Sequence, residues 1–493
     1  MHKDTKQVGS FYITPENPIY GELTIDEGNT LLYLRDTNFI NMSSLNGNSI
    51  NGVLHDFTKV TLINCSAAPV PGTFSSKNDG YYFADVFPHH IVHGDSHINP
   101  NDKCIRSIRF VVDDARILFY DFDAFGRMLD ARPCIENVVQ SNKLERKITI
   151  GTNPEILYFT GKTEIFSAKT KYGLISASHN PKTSWGGSEG VFIKNTIVVS
   201  IEFNENMVFD DALNAMFITV KFLEVTVGRP QNIQDILIDA CEENNSNGLT
   251  PLKVYLSYPP KRDSSMDERK PHPASVLLDA INKPDDFSRV LSKWLEVHHL
   301  MHDSRMRFFE SFSSPVYNIN RLVASANMFD ILPREAAPSD VDLSEDLTLA
   351  RNECRYIFKK LPISLERSSV LNALGRMGQS TLKHKVRYRG QILLAAFNEC
   401  FENLFVVTDA AINCRNHYVH GSDGDFNYAD NFDLVIFFTD TLEFIFAVSD
   451  LIEAKWDFKE WYNKGSSISH PFAQFRDNYF RNFNRLKQFL HST

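Results

Sequence analysis

The stretch from Leu393 to Gly421, LLAAFNECFENLFVVTDAAINCRNHYVHG, decides the class of the C-terminal half of this chain. Leu393, Phe397, Cys400, Leu404, Val407, Ala411, Cys414 and Tyr418 recur at alternating steps of four and three. That rhythm places them on one face of a 3.6-residue period and predicts one continuous helix through all eight. Gly421 is the natural stop, because glycine takes the left-handed conformation in which helices end. Asp409, Asn413, Asn416 and His420 form a second stripe at steps of four, three and four, so the helix presents a polar edge that finishes in an imidazole.

Downstream, Phe432 to Ala454 is apolar nearly all round and reads as a buried helix. Its most hydrophobic part, Leu434 to Ile452, carries Asp440, Glu443 and Asp450, each costly in lipid, which argues against a membrane span. Further helical patterns cover Phe287–Phe312, Asp346–Lys360 and Phe475–Leu490, so residues 286–493 read as a helical bundle. Upstream the period changes. Short β-branched and aromatic runs such as Lys59–Asn64, Ser107–Val112, Arg116–Tyr120, Glu155–Phe159, Thr196–Phe203 and Met216–Phe222 are punctuated by Gly, Asn, Asp and Pro. They predict an antiparallel, sandwich-like β region over residues 1–258. Between the halves, residues 259–285 open with four prolines and dense mixed charge and read as a linker. The fold class is therefore α+β multidomain: a β-sandwich-like N-terminal region, then an all-α bundle.

The chain has 493 residues, 43% hydrophobic and 23% charged, with 38 Phe, which supplies material for more than one aromatic-rich core. The net charge of −10 excludes a protein coated all over in nucleic acid and leaves room for a local basic patch. Residues 286–493 hold 24 basic against 26 acidic side chains, so the acidity lies mostly in the β region. Seven widely spaced cysteines make no disulfide framework. With a polar start lacking a signal peptide's apolar core, they imply a cytoplasmic protein.

A histidine can take and give a proton near neutral pH, and an arginine offers a fixed fork for phosphate oxygens. Arg415 with His420 is thus a set sufficient for RNA cleavage without metal or cofactor: a base frees the 2′-hydroxyl and a cation stabilises the phosphoryl charge. Five residues turn an ideal helix by ~500°, so the two side chains diverge by ~140°. They are expected to converge only through a distorted helix end or a cleft shared by two chains, which makes a homodimer an expectation. Spacing alone leaves the alternative of an ordinary capped helix end, and Arg485…His491 repeats the pattern near the terminus. From Arg367 to Arg389 the chain carries Arg376, Lys383, Lys385, Arg387 and Arg389 with no intervening acid, which reads as an RNA-phosphate contact surface or as a solvated face.

Three weaker clusters have bland readings. His89, His90, His93, His97 and Cys104 are metal-capable, but the surrounding prolines and glycine suggest a loop and no metal is assigned. His298 and His302 read as surface decoration. The aromatics of Phe475–Phe489 read as core rather than as a base-stacking platform.

Arg415-Asn416-x-x-x-His420 at the end of a buried helix resembles the RNase motif of the HEPN superfamily. Gly9-Ser-Phe-Tyr-Ile-Thr-Pro15, Ile19-Tyr-Gly-Glu-Leu-Thr-Ile25 and Val60-Thr-Leu-Ile-Asn-Cys65 resemble the opening of the ApeA N-terminal domain. Together they resemble ApeA-like HEPN proteins, which are bacterial anti-phage factors. The resemblance implies a metal-independent, homodimeric endoribonuclease that acts in abortive infection and leaves 2′,3′-cyclic phosphate and 5′-hydroxyl ends. A phage-encoded protein or another infection signal would trigger it, sensed by the β region. Arg415 and His420 would be catalytic and Asn416 would be the polar residue after the arginine; the motif does not settle the role of His417, which with Asp409 and Asn413 of the polar stripe is a candidate for orienting the pair. The competing reading is a non-catalytic β module that binds a ligand or phage protein, with a bundle that only dimerises.

Overall fold

The computed structural model describes residues 5–14, 17–26, 28–41, 49–68, 70–75, 80–141, 148–184, 186–188, 190–241, 250–259, 270–339, 342–421, 430–465 and 469–490. The chain divides into two compact units, Met1–Leu295 and Glu296–Thr493.

The first unit begins with β1 (Thr5–Thr14), β2 (Asn17–Ile25), β3 (Leu31–Asp36), β4 (Ile50–Leu54) and β5 (Lys59–Ile63). Next come β6 (Ser66–Ala67), β7 (Gly72–Ser75), β8 (Gly80–Phe87), β9 (His90–Gly94) and β10 (Ile105–Val112). Helix α1 (Ala115–Leu118) precedes a separate hairpin of β11 (Phe125–Leu129) and β12 (Glu155–Phe159), with α2 (Arg132–Ser141) between its strands. The rest is β13 (Glu164–Lys169), β14 (Gly173–Thr183), β15 (Ile193–Met207), α3 (Phe209–Val227), β16 (Ile233–Ala240), β17 (Thr250–Leu256) and α4 (Pro284–Glu296). Met216–Phe222, read above as a strand, lies inside α3, and the first three residues of Arg116–Tyr120 belong to α1.

Among the described residues fifteen strands pair antiparallel along one path, β13-β14-β15-β10-β16-β17-β9-β5-β4-β1-β2-β3-β8-β6, with β7 on β8. β8 and β9 stand six places apart on this path, yet only Pro88 and His89 separate them in the chain. A flat sheet would hold them roughly 29 Å apart at ~4.8 Å per strand, so the sheet curls back on itself. β6, just after β5, pairs with β8 and completes the turn. Phe11, Leu23, Leu34, Leu54, Val60, Leu62, Val86 and Ile91 fill the enclosed core. A Cβ on Gly52 would stand 2.6 Å from the Phe11 ring, so glycine makes room for that side chain. In the other half of the sheet α3 packs against β10 and β15. Phe287 of α4 joins Phe119, Phe166 and Phe222, placing this helix in the first unit. Of the segment read as a linker, residues 260–269 lie outside the described residues, whereas Leu277, Leu278 and Ala280 are buried.

The second unit is all helical: α5 (His298–Phe312), α6 (Ile319–Asp330), α7 (Glu345–Lys360), α8 (Leu365–Gly375), α9 (Leu382–Ala396), α10 (Leu404–His420), α11 (Phe432–Glu453), α12 (Phe458–Asn463) and α13 (Pro471–Leu490). The expected class, an antiparallel β region followed by a helical bundle, is the one observed.

α11 runs through the middle and is buried from Leu434 to Leu451 apart from Ile436 and Asp440. A carboxylate in such a place needs a partner, and Asp440, Glu443 and Asp450 each have one, as does the exposed Glu453 just beyond. Tyr317 Oη donates to Asp440 Oδ1 at 2.6 Å. Arg321 grips Glu443 bidentately at 2.9 and 2.8 Å, and Arg305 grips Asp450 at 2.9 and 2.8 Å. Arg389 donates to Glu453 Oε2 at 2.7 Å and to Ser449 Oγ at 2.8 Å. No helix among the described residues is long and apolar enough to cross a membrane.

One expectation fails here. The single helix predicted through Leu393–Tyr418 is two helices, broken between Ala396 and Leu404. Phe397 is extended and Asn403 takes a left-handed φ of 54°. Phe401 inserts among Phe444, Tyr462, Phe475 and Tyr479. The hydroxyls of Tyr462 and Tyr479 donate to the carbonyls of Cys400 and Glu402 at 2.6 and 2.8 Å, so side chains replace the helical bonds lost in the break. The four-three rhythm persists because both helices face the same core.

Candidate active site

α10 ends at the Arg415–His420 segment for local reasons. Gly421 adopts φ 62° and donates its N–H to His417 O at 2.9 Å, closing the last turn. His417 and His420 occupy that turn. Val407, Ala411, Ile412 and Cys414 are buried and fix the helix against the bundle.

The Arg415 side chain is 13% exposed and makes the hub. Its Nη1 donates to Asn416 Oδ1 at 3.1 Å and lies 3.3 Å from His420 Nε2. Its Nη2 donates to Asn327 Oδ1 at 2.9 Å and lies 3.5 Å from Asp330 Oδ2. Its Nε is buried with no hydrogen-bond partner among the described residues. The divergence expected on an ideal helix is thus overcome within one chain. The long arginine side chain folds along the helix end to the last helical residue, and neither a distorted terminus nor a second copy is needed for the contact. A guanidinium has only donors, so in this arrangement His420 Nε2 accepts and the ring proton sits on Nδ1. His420 is exposed, which leaves the imidazole open to a substrate.

Asn327 and Asp330, at the end of α6, are the residues that sequence reasoning missed. Their only local signal is a polar pair three apart around the buried Met328 and Phe329. Asp330 is also tied to α9, because Lys385 Nζ donates to its carbonyl oxygen at 2.6 Å. Among the residues expected to orient, Asp409 is engaged by the exposed Arg387, whose Nε donates to Asp409 Oδ1 at 3.0 Å. Asn413 is exposed on the same helix, and His417 packs edge-on against Tyr418 at 5.1 Å.

The basic stretch is not one cationic surface. Arg389 is fully buried and neutralised by Glu453, so it cannot meet a phosphate, which corrects its assignment as an RNA contact. Arg387 is paired with Asp409 and Lys385 with the Asp330 carbonyl. Arg376 is exposed and Lys383 half-buried, and neither forms an ion pair among the described residues. An acid-free run of sequence did not mean acid-free surroundings.

Burial pushes the Cys414 thiol up to about 12 and that of Cys400 up to about 11, so neither supplies a thiolate nucleophile near neutral pH. The Cys104 thiol and the His90, His93 and His97 imidazoles are also shifted by burial, the thiol up and the imidazoles down. His90 and His93 lie in strand β9 rather than in a loop, on opposite faces by the alternation of a strand. Among the described residues no group of three or more His, Cys, Asp or Glu is placed to hold a metal ion. His298 is not surface decoration: it is 3% exposed, contacts His302 at 3.3 Å and stands 3.4 Å from Arg305. Phe475, Tyr479 and Phe483 of α13 are buried in the aromatic core, and His491 of the second Arg…His match lies outside the described residues.

Residues 323–460, which carry Arg415 and His420 at the end of α10, match the family model for the Apea-like HEPN domain. Residues 6–294 match the model for ApeA N-terminal domain 1, and the chain belongs to the ApeA family of HEPN proteins. HEPN domains as a class are associated with RNase activity. No curated protein and no solved structure matches the chain.

Proposed function

We propose that this protein is a metal-independent endoribonuclease of anti-phage defence. The observation that carries the reading is the 3.3 Å approach of Arg415 Nη1 to His420 Nε2 at an exposed helix end, with the guanidinium steered from behind by Asn327. A phosphate oxygen entering this end would draw the guanidinium into a charge-assisted pair and release the Nε2 lone pair. His420 then takes the proton of the 2′-hydroxyl, the hydroxyl oxygen attacks the adjacent phosphorus, and the 5′-oxygen leaves with a proton from solvent, to which the exposed imidazolium afterwards returns its own. Arg415 stabilises the charge that develops on the phosphoryl oxygens. Asn416 accepts from Nη1 and holds the fork in plane. The products are a 2′,3′-cyclic phosphate and a 5′-hydroxyl. Arg376 and Lys383 are the cations left to hold the RNA backbone. In the cell the protein would act in the cytoplasm as a homodimer and in abortive infection, with the β unit gating the helical one in response to a phage-encoded protein or another infection signal.

The test is incubation of the purified protein with total cellular RNA in the presence of a chelator, followed by end-group analysis. Cyclic phosphate ends should accumulate, and Arg415→Ala or His420→Ala should abolish them while the protein still folds. Cleavage that stops with the chelator, or survives either substitution, refutes the assignment.

A further inference from the structure

Cys104 and Cys241 are free thiols, the first half-buried and the second exposed, far apart in the chain but opposite each other at one end of the sheet. The outermost pair of the β10–β16 ladder is Ile105 with Ala240. One residue further out, Cys241 N donates to Cys104 O at 2.9 Å, so the two cysteines form the next rung. Residues directly opposed in an antiparallel pair leave the same face of the sheet, with Cα atoms ~4.5–5.5 Å apart, inside the ~4.4–6.8 Å that a disulfide spans. A second contact fixes where the Cys241 side chain goes. Asn206 Nδ2, near the end of β15, donates to Cys241 Sγ at 3.7 Å. β15 and β16 flank β10 on opposite sides, so the two side chains bridge two strand spacings, roughly 10 Å, and do so only by both reaching inward over β10. The Cys241 sulfur therefore leans toward the strand that Cys104 begins. Cys104 N donates to Asp102 O at 2.8 Å and not to Cys241, which leaves the rung with a single hydrogen bond. Both residues lie past the last paired ones, so the sulfurs can close without breaking the ladder.

We propose that Cys104 and Cys241 are a modification site for peroxides, a dithiol that closes into a reversible disulfide across the ends of β10 and β16. Cys241 reacts first, because it is exposed and the Asn206 N–H steadies a thiolate there. Its sulfur attacks one peroxide oxygen, the O–O bond breaks, hydroxide leaves, and Cys241 is left as the sulfenic acid. The Cys104 sulfur then attacks the Cys241 sulfur, the S–O bond breaks, and hydroxide departs with the Cys104 proton as water. In sum, two thiols and one hydrogen peroxide give one disulfide and two waters, each sulfur losing one electron. Burial, with Asp102 adding to it, raises the Cys104 thiol, which suits it to the second step, where its partner is delivered by the fold. A dithiol reductant reverses the reaction by exchange, so in a reducing compartment the pair rests open. Closed, the bond encloses the chain from β10 to β16 with α3, a long loop of the kind whose closure most restricts the unfolded chain.

The experiment reads sulfur chemistry and not RNA cleavage, so its outcome is independent of the nuclease reading. The full reduced chain is treated with a small excess of hydrogen peroxide, its remaining thiols are blocked with N-ethylmaleimide in denaturant, and it is digested without reductant for mass spectrometry. Two of the seven cysteines should escape the label, the peptides of Cys104 and Cys241 should be found joined, and dithiothreitol should restore both thiols. Cys134 and Cys354, the other exposed cysteines, should still take the label. In Cys104→Ser, oxidation should stop at a Cys241 sulfenic acid that dimedone traps. In Cys241→Ser, Cys104 should stay reduced at the same dose. Closure in urea, where no rung holds the sulfurs together, should be at least about tenfold slower. A Cys104 that is still labelled in the folded wild type, a Cys241 joined to some other cysteine, or a bond that forms as fast in urea overturns the proposal.

Discussion

Replacing Asn327 with alanine asks whether α6 holds the guanidinium of Arg415 in register with His420. The amide oxygen accepts from Nη2 at 2.9 Å, and the arginine side chain is only 13% exposed, so water is a poor substitute. A hydrogen bond to a charged donor in such a place contributes roughly 1.5–3 kcal/mol. Asp330, at 3.5 Å from the same nitrogen, retains part of the restraint. The expected loss in cleavage is therefore about 2 kcal/mol in the barrier, roughly thirtyfold in rate. Asn327 holds the arginine from the side away from His420, so the loss should fall on kcat, with KM changing by less than about twofold. Asn327→Asp keeps an acceptor at the same position and should retain activity to within about threefold. Initial rates on a short fluorescent RNA, measured over a range of concentrations beside a thermal melt, give both parameters. Wild-type kcat in a folded Asn327→Ala variant would show that the contact is incidental, and an equal loss in Asn327→Asp would show that the amide does something other than accept.

Two further substitutions separate charge from structure. Arg389→Ala removes a fully buried cation from Glu453 and Ser449 and should cost about 3–4 kcal/mol of stability, whereas Arg376→Ala should weaken RNA binding with an unchanged melt; the reverse pattern would restore Arg389 as an RNA contact. Asp440 is pushed up to about 7, chiefly by burial, with Glu443 adding to the rise and Tyr317 and Arg321 opposing it. Its folded form therefore binds the proton more tightly than the unfolded chain does, and this contribution to stability falls as pH rises from about 4 to about 7. Asp440→Asn, which keeps an acceptor for Tyr317, should stabilise the protein more at pH 8 than at pH 5.5, by about 2 kcal/mol for the roughly 1.5 pH units between 5.5 and 7. An equal gain at both pH values in denaturant titrations refutes this.

The periodicities of the chain were enough to establish its class. Short β-branched and aromatic runs marked strands such as β5, β10 and β15, the four-three rhythm marked α10, an apolar stretch marked α11, and Gly421 marked where α10 stops, because each of these signals is local and survives without knowledge of neighbours. Arg415 and His420 were legible for the same reason, being five residues apart on one helix end. What reaches them from elsewhere was not. Asn327 and Asp330 lie more than eighty residues upstream and became partners only when α6 packed beside α10. Arg389 and Arg387 look alike in a run without acids, yet one is a core residue held by Glu453 and the other is an exposed partner of Asp409. The break before Leu404 was hidden because both helices keep their apolar side toward the same core, and only the tyrosine hydroxyls of α12 and α13 make that break affordable. The curl of the sheet likewise depends on which strands find each other. Burial and counter-charge are properties of the packed chain, and no window of sequence contains them.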